Sequence, residues 1–460
     1  MKRLPYKSLY LLLLIVVPLF ALGQNQGRPP GPPPKNAPQR ATKEKAFKPK
    51  VLVYGSGVDA FAAALQSAQS GVQTLWVMEG AKVESALTNG EAKTVNAYAD
   101  LSVGSWALFL RALANVQQGS DSAYRAARQL INPQIAINTF ENVVDTAKNL
   151  QVRNKTTIAA IKKAGKGYEV TYSNKEKQKF EVVVDASESH ALFQALGKDY
   201  LTDDGWVKVK NAIGIARQQI DYGDIRYRTG VSLALQNGKM GSLPISALVP
   251  DTASNIFATK GFEGNIMKET DINLVPQLML QGQAVGTMAA FCAFFNTTTD
   301  KIALRTLQGE LLAYGAWLLP FQDIKVLDPH VGPIQRIGAT GLLQGQYTDD
   351  KFLFLPDSTV SSTEIRDISE QLYTRSQIWF LRNKDIPQIT LGQTLDFIKY
   401  LANRGDELNV EVEKAWAKRF KFTTPFDQER PVTRREFAVL IDTYLQPFNL
   451  KVDWDGNFAY

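Results

Sequence analysis

The stretch Val51-Leu-Val-Tyr-Gly55-Ser-Gly57-Val-Asp-Ala60 decides the fold of this chain. Its first four residues form a short apolar run that is typical of a buried strand. Gly55 and Gly57 then permit a tight turn and a close approach of the backbone to a ligand. The apolar residues of 61–68 recur at helical spacing, and Gly71 can end that helix. The stretch therefore predicts a strand, a glycine turn and the start of a helix.

A second strand and an acidic residue follow. Residues 72–78 are again apolar and strand-like, and they lead directly into Glu79. Glu79 follows Gly57 by 22 residues, about where a dinucleotide-binding βαβ unit presents a carboxylate to a ribose hydroxyl. Ala60 supplies a small residue at the third position of the glycine motif. The sequence thus predicts a dinucleotide site formed by Gly55, Ser56, Gly57, Ala60 and Glu79.

Asp59 does not suit this interpretation. It lies in the first turn of the predicted helix, where the unpaired N–H groups and the positive end of the helix dipole favour a phosphate. A carboxylate there can stabilise the helix end by itself, and it would repel a phosphate. A structural βαβ unit without any ligand is therefore a second interpretation of the same residues.

The N-terminus and the composition set the protein class. A length of 460 residues indicates two or three domains, and 45% hydrophobic with 21% charged residues is typical of a globular protein. Residues 1–23 combine basic residues, an apolar run and a small-x-small site, so they predict a secretory signal peptide. An uncleaved anchor is the alternative. We expect Sec-dependent export to the periplasm, the cell surface or the medium, with no membrane span after cleavage.

Residues 24–49 are rich in proline, glycine and basic residues, which indicates an extended, solvated linker. Much of the formal net charge of +7 lies in this segment. The rest of the sequence shows no basic face with interleaved aromatic residues, so nucleic acid is not an expected partner. With His190 and His330 as its only histidines, the chain has no histidine-rich metal site. Cys292 is the only cysteine, and we expect it to serve core packing.

Beyond the first unit, helical and strand-like patterns alternate. Residues 105–150 look largely helical, and three strand-like runs within 156–184 predict a small meander. The last run leads into Asp185-Ala-Ser-Glu-Ser189, a polar turn of the kind found at the carboxyl ends of parallel strands, where ligands bind. Residues 255–259 read as another buried strand. The turn-rich residues 200–250 do not yield a clear order of elements.

A long apolar helix is predicted over residues 274–295. Within it, Gly282-Gln-Ala-Val-Gly286-Thr287 places small residues at close spacing. Small residues let a helix pack tightly against a sheet, or they let its backbone approach a flat ligand. The sequence favours neither interpretation over the other.

From about residue 300 the pattern changes to helices and short loops with internal repeats. Residues 357–365 and 429–437 are similar, because in each a hydroxyl residue stands three positions before a glutamate and opens an apolar helix, as in a capping box. The two pairs are Ser361 with Glu364 and Thr433 with Glu436. A repeated helical unit is therefore expected over 300–460.

Taken together, these motifs resemble the secreted FAD-dependent oxidoreductases with a glutathione-reductase-like fold. That family has a glycine-rich βαβ unit, an Asp-Ala-Thr-Gly turn in mid-chain and a helix with the sequence Gly-Gln-Ala-Ala-Gly-Thr. The matching residues here are Gly55-Ser-Gly57 with Glu79, Asp185-Ala186-Ser187, and Gly282-Gln283-Ala-Val-Gly286-Thr287. The resemblance implies an α/β, Rossmann-like FAD/NAD(P)-binding three-layer domain over 50–299, with a β-rich substrate region inserted at about 190–250.

The resemblance also implies FAD as the cofactor and hydride transfer between an unidentified small molecule and FAD. The pyrophosphate would bind at residues 55–60, the ribose at Glu79 and the flavin near residues 282–287. The catalytic residues are not identified by the resemblance. The implied cofactor-binding residues are Gly55, Ser56, Gly57, Ala60, Glu79, Ala186, Ser187, Gly282, Gln283, Gly286 and Thr287.

Three positions depart from the family pattern. Glu188 and Lys260 replace glycines that follow the mid-chain turn and the last strand, and Asn273 replaces an arginine. Two added acids, Asp59 and Glu188, would each cost on the order of 1 kcal/mol beside a solvated pyrophosphate, and Lys260 would offset one of them. The alternative function is a non-catalytic envelope protein on the same fold. A third hypothesis is carbohydrate processing, with the Tyr- and Arg-rich loop 221–229 as the sugar contact.

The C-terminal helical domain over 300–460 resembles S-layer-homology modules, whose signature includes Thr-Arg-Ala-Glu. Thr433-Arg434-Arg435-Glu436 comes close to this signature, whereas the copy at Ser361-Ser-Thr-Glu364 lacks the arginine. The resemblance implies binding of a cell-envelope polymer. A helical module that only packs on the flavin-binding domain is the alternative.

Overall fold

The computed structural model describes residues 46–97, 101–115, 119–210, 220–236, 239–251, 253–262 and 271–459. The predicted signal peptide and most of the predicted linker lie outside these ranges. Within the described ranges, no helix has both the length and the apolar character that a membrane span requires.

The secondary structure alternates strands and helices up to about residue 300 and is mainly helical after it. The β-strands, numbered along the chain, are β1 (Val51–Tyr54), β2 (Thr74–Val77), β3 (Leu150–Arg153), β4 (Ile158–Ala164), β5 (Gly167–Tyr172), β6 (Lys177–Phe180), β7 (Val182–Asp185), β8 (Gly230–Gln236), β9 (Lys239–Pro244), β10 (Ile256–Ala258), β11 (Gln346–Thr348), β12 (Lys351–Leu353), β13 (Lys451–Val452) and β14 (Phe458–Ala459). The α-helices are α1 (Val58–Gln69), α2 (Gly104–Leu113), α3 (Asp121–Ala127), α4 (Pro133–Asp145), α5 (Ala191–Leu196), α6 (Val275–Phe294), α7 (Leu304–Ala313), α8 (Val331–Thr340), α9 (Ser362–Leu372), α10 (Ser376–Arg382), α11 (Leu391–Ala402), α12 (Glu407–Ala415) and α13 (Arg434–Tyr444).

A parallel five-stranded sheet organises the first part of the chain, in the order β10-β7-β1-β2-β3. Every residue of β1, β2 and β7 is buried, as expected for central strands covered on both faces. Strand β1 pairs with β2 on one side and with β7 on the other. The connections therefore leave β1 in opposite directions, and a crevice forms at this switch point beyond the carboxyl ends of the strands. This is the predicted Rossmann-like α/β fold.

Helix α6 packs along α1 at van der Waals distance. A Cβ atom added at Gly282 would lie 2.2 Å from the carbonyl oxygen of Asp59, and one added at Gly286 would lie 2.3 Å from that of Ala63. Both distances are impossible for a side chain, so glycine is required for the two backbones to approach this closely. The small residues of α6 therefore serve close packing, although their neighbour is a helix and not the sheet named in the sequence prediction.

One predicted strand needed correction, and one observed strand had not been predicted. The run over 180–184 contains the end of β6 and most of β7, which belong to different sheets because Glu181 interrupts them. Strands β4, β5 and β6 form the antiparallel meander, whereas β7 joins the parallel sheet. Strand β3 was missed, because its four residues are half-buried or exposed at the sheet edge and carry no continuous apolar run.

Along the chain, helices α8 to α13 form three successive units of two helices each. The second helix of each unit opens on a side-chain cap, from Ser361, Thr390 and Thr433 respectively. Both caps predicted from the sequence are present, but of the two the reciprocal capping box forms only at Thr433, since at Ser361 only the hydroxyl takes part. The cap at Thr390 was missed, because its partner is Gln393 in place of a glutamate.

The segments that carry the three caps are bonded to one another. The Ile389 N–H donates to the carbonyl of Val360 at 2.7 Å, and the Val432 N–H donates to the carbonyl of Ile389 at 2.9 Å. A β-bridge between Thr359 and Thr433 joins the first segment to the third. The three units therefore meet at a common junction.

Glu436 holds the last capped helix in place. Its carboxylate accepts two hydrogen bonds from Arg430, at 2.8 and 2.9 Å, and one from the Thr433 N–H at 3.0 Å. Burial by itself would raise the pKa of Glu436, but the hydrogen bonds from Arg430, Thr424 and Thr433 outweigh it and hold the pKa below its usual range. The ionised carboxylate therefore stabilises the folded state.

We expect Glu436→Gln to lower the free energy of unfolding at pH 7 by about 2–4 kcal/mol. Because the folded-state pKa lies below the value of 4.5 for a free glutamate, this stabilisation is lost as the pH falls from that value through the folded pKa. Urea unfolding at pH 7 and near pH 4 would measure it, with Glu429→Gln, an exposed glutamate in the same loop, as the control. Equal effects of the two substitutions would contradict the prediction.

Candidate functional site

The glycine turn after β1 lies against the turn after β7. Gly55 has a φ of +145°, and a Cβ atom there would lie 2.3 Å from the carbonyl oxygen of Ala186. The indole Nε1 of Trp76 donates to the Gly55 carbonyl at 2.8 Å and fixes the turn from β2. Gly57 occupies the N-cap position of α1 and supplies no side-chain cap. The first N–H groups of α1 therefore have no side-chain acceptor from that position.

Glu79 is exposed at the end of β2, as the ribose interpretation requires. The Tyr54 hydroxyl donates to Oε1 of Glu79. Burial, reinforced by this hydrogen bond, raises the pKa of Tyr54, so the phenol stays protonated and keeps donating. Ser56 lies beside it and accepts a hydrogen bond from the Gly80 N–H at 3.4 Å through its hydroxyl. One carboxylate oxygen of Glu79 is thus oriented by the protein while the residue faces solvent.

A cavity of about 350 Å³ opens next to these residues, between the sheet and α4. Met78, Ala81 and Asn154 line it at the ends of β2 and β3, and Phe140 and Val144 line it from α4. Charged side chains at positions 82, 141 and 145 also line it, so its walls combine apolar and charged groups near the predicted ribose position.

Three charged residues meet at the crevice. Asp59 is fully buried, and its carboxylate accepts a hydrogen bond from the Thr259 hydroxyl. The Lys260 Nζ lies 3.3 Å from Oδ2 of Asp59 and 2.9 Å from Oε1 of Glu188. Lys260 was expected to offset one of the two acids, but it pairs with both. The crevice therefore carries two carboxylates around one ammonium group.

Asp185 organises the turn after β7. Its carboxylate accepts hydrogen bonds from the backbone N–H groups of Leu192 (2.8 Å) and Phe193 (3.1 Å) and from the Ser187 hydroxyl (2.6 Å) and N–H (3.1 Å). The Ser187 hydroxyl in turn accepts from the Ala191 N–H at 2.9 Å. Burial raises the pKa of Asp185. The structure thus brings Ala186 and Ser187 to the glycine turn, and the Ser187 side chain is engaged within the turn itself.

His190 belongs to the same cluster, and the sequence prediction did not assign it to the site. It is 5% exposed, and its Nδ1 has no hydrogen-bond partner within the described part of the chain. Burial chiefly lowers its pKa and Asp185 opposes the shift, so the imidazole is neutral at pH 7. The only sequence signal was a histidine directly after the strand-end turn.

The four predicted site residues on α6 lie away from the start of that helix, which is at Val275. Gly282 and Gly286 contact α1, as described above. The Gln283 amide accepts from the Ser105 N–H and donates to Gln66, both at 2.9 Å. The Thr287 hydroxyl donates to the Gln283 carbonyl at 2.8 Å. Their packing role is observed, and a contact of these residues with a flavin stays a prediction.

The loop 221–229 contacts the C-terminal region. Tyr222 accepts from the Gly345 N–H at 3.0 Å, and Tyr227 donates to the Thr340 carbonyl at 3.1 Å. Arg226 pairs with Asp224 in the loop itself. These contacts show that the loop packs against the rest of the protein, and they disfavour the hypothesis that it binds a sugar.

Within the described ranges, no group of three or more His, Cys, Asp and Glu residues could hold a metal ion. Cys292 is buried, and burial raises the pKa of its thiol to about 12. The thiol is therefore protonated and packs in the core.

Solved structures resemble about a third of the chain. A bacillithiol disulfide reductase from Staphylococcus aureus is 17% identical with a TM-score of 0.23, and the match covers 31% of this chain and 39% of that one. An oxidoreductase from Agrobacterium tumefaciens is 11% identical with a TM-score of 0.21, over 30% and 36% of the two chains. The amino acid oxidase NikD of nikkomycin biosynthesis is 15% identical with a TM-score of 0.24, over 32% and 53%. The chain thus spans little more than half of these proteins at most.

No curated protein is significantly similar to the chain. The family model described as FAD dependent oxidoreductase matches residues 50–208. That segment contains the glycine turn, Glu79 and the Asp185–Ser187 turn. About a third of the chain therefore matches the FAD-dependent oxidoreductase family, and the match supports FAD as its cofactor.

Proposed function

We propose that the chain is an exported FAD-dependent oxidoreductase that transfers a hydride between a small molecule and FAD. One observation carries the proposal. At the switch point between β1 and β7, the structure combines an uncapped helix N-terminus with a glycine turn that no other residue could form. An exposed, oriented carboxylate follows at the end of β2. This is the set of groups that a dinucleotide requires.

The residues present fit the adenosine end of FAD. Glu79 would accept a ribose hydroxyl through the oxygen that Tyr54 leaves available, and the Gly55–Gly57 turn would admit the pyrophosphate to the α1 N–H groups. The cavity at the end of β2, which has both apolar and charged walls, has room for a purine base. Tyr54 and Trp76 position these groups from within the core, so the site is formed before the ligand arrives.

The part of the crevice where the pyrophosphate would bind can accept an anion. Lys260 compensates the charge of the buried Asp59 and also contacts Glu188. Asp59 and Lys260 are buried as a pair, whereas the side chain of Glu188 is 67% exposed. A carboxylate in solvent can move away from an incoming phosphate at small cost, since exposed ion pairs contribute about 0–1 kcal/mol. The departures from the family pattern therefore reduce the affinity for FAD without blocking the crevice.

Three buried polar side chains in or beside the predicted substrate region lack partners among the described residues. Within the described part of the chain, the Gln281 amide and the hydroxyls of Ser242 and Ser246 are buried and form no hydrogen bond. Gln281 lies on α6, and the serines lie on β9 and in the turn after it; the hairpin β8–β9 packs on α6, with the Leu235 N–H donating to Gln277 at 2.9 Å. Buried polar groups are normally paired. We propose that they orient a small-molecule substrate, to which bound FAD would supply the hydride-transfer chemistry.

The C-terminal contacts favour a packing role for residues 300–460. Arg434, the arginine of the Thr433–Glu436 signature, is buried and donates to the carbonyls of Phe354 at 2.8 Å and Gln344 at 2.7 Å, and it pairs with Glu364. The residue that the S-layer resemblance would assign to polymer binding is therefore engaged inside the protein. The contacts of Tyr222 and Tyr227 join the region to the loop 221–229.

The proposal predicts that the purified protein is yellow or takes up FAD. We expect Glu79→Ala to weaken FAD binding by roughly 10-fold to 150-fold, because a hydrogen bond to a charged group contributes about 1.5–3 kcal/mol. Gly57→Glu should abolish binding, because it places a carboxylate at the phosphate position. Visible absorption and FAD titration measure both effects, with Glu91→Ala, an exposed glutamate in the following loop, as the control.

A colourless protein that gains no thermal stability from added FAD would contradict the proposal. That result would favour the alternative, a non-catalytic envelope protein on the same fold. The observation behind this alternative is the buried Asp59–Lys260 pair, which already occupies part of the crevice.

A further inference from the structure

We propose that Lys260 is a phosphate-binding residue of the crevice and that Glu188 is an internal anion that competes with the ligand for it. This inference rests on the proposed function, because it concerns the dinucleotide at the same site. It would explain two of the departures from the family pattern as one compensating pair.

The position of Lys260 is the first argument. Thr259 and Lys260 directly follow β10, so they lie at the carboxyl edge of the parallel sheet, where Asp59 at the start of α1 and Glu188 after β7 also lie. The Lys260 side chain is 4% exposed. A lysine is rarely so buried unless an anion faces it. Its position at the N-terminus of α1 is where a pyrophosphate would place its oxygens.

The two acids differ in how firmly they are held. Asp59 is fully buried and bonded to the Thr259 hydroxyl, and the α6 backbone at Gly282 packs against its carbonyl, so it forms a fixed pair with Lys260. Glu188 contacts the same ammonium at 2.9 Å, but its side chain is largely in solvent. Carboxylate and phosphate oxygens are equivalent acceptors for an ammonium group. Glu188 therefore occupies a ligand position that it can leave.

His190 provides an independent argument for a ligand. Its Nδ1 is buried without a hydrogen-bond partner in the described part of the chain, and its ring lies against Gly261, the residue after Lys260, where an added Cβ atom would lie 2.0 Å from its Nε2. An unpaired buried imidazole nitrogen is costly unless a ligand or a water pairs with it. A phosphate oxygen beside Lys260 would supply an acceptor for it.

The charges of the crevice agree with this exchange. With Glu188 in place, two carboxylates face one ammonium group, which leaves one net negative charge. When Glu188 moves out, the inner Asp59–Lys260 pair is neutral, and the α1 dipole and N–H groups then favour an anion. Glu188 is thus expected to weaken every ligand that carries phosphate and to leave adenosine unaffected.

The test compares FAD, ADP and adenosine binding to the full chain by titration calorimetry. Glu188→Gln removes the competing charge and keeps the side-chain size. We expect it to tighten FAD and ADP binding roughly threefold to fivefold, the range of an exposed ion pair. Adenosine binding should not change, and the gain should shrink at high salt. Glu91→Gln is the matched control, an exposed glutamate outside the crevice.

A double substitution tests the role of Lys260 without leaving a buried charge that could unfold the protein. Lys260→Met alone would leave Asp59 buried and uncompensated, so the double substitution Asp59→Asn with Lys260→Met removes both charges together. In that background the gain from Glu188→Gln should shrink, because only the repulsion between Glu188 and phosphate remains and no ammonium is left for which Glu188 and the ligand could compete.

The outcomes separate this inference from the proposed function. If the wild-type chain binds FAD and Glu188→Gln changes nothing, or if the gain is undiminished without Lys260, the inference is overturned and the proposed function stands. If neither the wild-type chain nor Glu188→Gln binds FAD or ADP, both are overturned.

Discussion

Gly286→Leu is expected to unfold the first part of the chain at room temperature. A Cβ atom at this position would lie 2.3 Å from the Ala63 carbonyl oxygen, which is backbone of a buried helix and cannot turn aside. The whole leucine side chain would have to separate α6 from α1, and α1 covers the central strands. Overpacking typically costs about 1–3 kcal/mol, and displacing two core helices should exceed about 4 kcal/mol.

Urea unfolding followed by circular dichroism would measure this loss. The matched control is Gly309→Ala on α7, a helical glycine whose added Cβ meets nothing within 4 Å. That substitution should stabilise the chain by about 0.5–1 kcal/mol, because alanine loses less backbone entropy than glycine on folding. A Gly286→Leu variant with the wild-type unfolding midpoint would show that the close contact of α1 and α6 is not formed.

Asp185→Leu is expected to have the second-largest effect, a loss of about 3–5 kcal/mol in the free energy of unfolding. The substitution leaves the N–H groups of Leu192 and Phe193 and both donors of Ser187 without their acceptor, at a position with no exposure to solvent. Each buried donor without an acceptor costs about 1–3 kcal/mol. The turn that faces Gly55 should therefore lose its shape, and FAD binding should be lost with it.

Two milder substitutions calibrate this result. Asp185→Asn keeps one acceptor oxygen and should cost roughly half as much, whereas Ser187→Ala removes one of the four donors and should cost about 1 kcal/mol. Thermal unfolding and FAD titration on the three variants should show losses of stability and of FAD binding that decrease in the order Asp185→Leu, Asp185→Asn, Ser187→Ala. An Asp185→Leu protein that is as stable as Ser187→Ala would show that the carboxylate does not hold the turn.

The sequence was most informative where its signals were local. The unit β1–α1–β2 was predicted correctly because an apolar strand, a glycine turn and an amphipathic helix each leave a pattern within a few residues. Strand β3 left no such pattern, since an edge strand of four residues needs few apolar side chains. The break between β6 and β7 rests on Glu181 alone, and which sheet each strand joins is decided by distant partners.

The candidate site shows the same difference between features that a local sequence pattern predicts and features that depend on distant residues. The Gly55 turn and Glu79 could be located from spacing alone, because their roles depend on the strand and helix beside them. The pairing of Asp59 with Thr259 and Lys260 joins residues 200 and 201 positions apart, and no local pattern encodes it. His190 was overlooked for the same reason, since its importance comes from the burial of its ring and the charges around it.

The junction that joins Val360, Ile389 and Val432 limits how the C-terminal region can evolve. In open repeat arrays each unit touches only the next, so units can be gained or lost at either end. Here the bridge from Thr359 to Thr433 closes the array on itself. A duplication that added a fourth unit would find no edge to join, and a deletion would leave unpaired strand edges. The closed geometry therefore fixes the copy number, whatever ligand the protein binds.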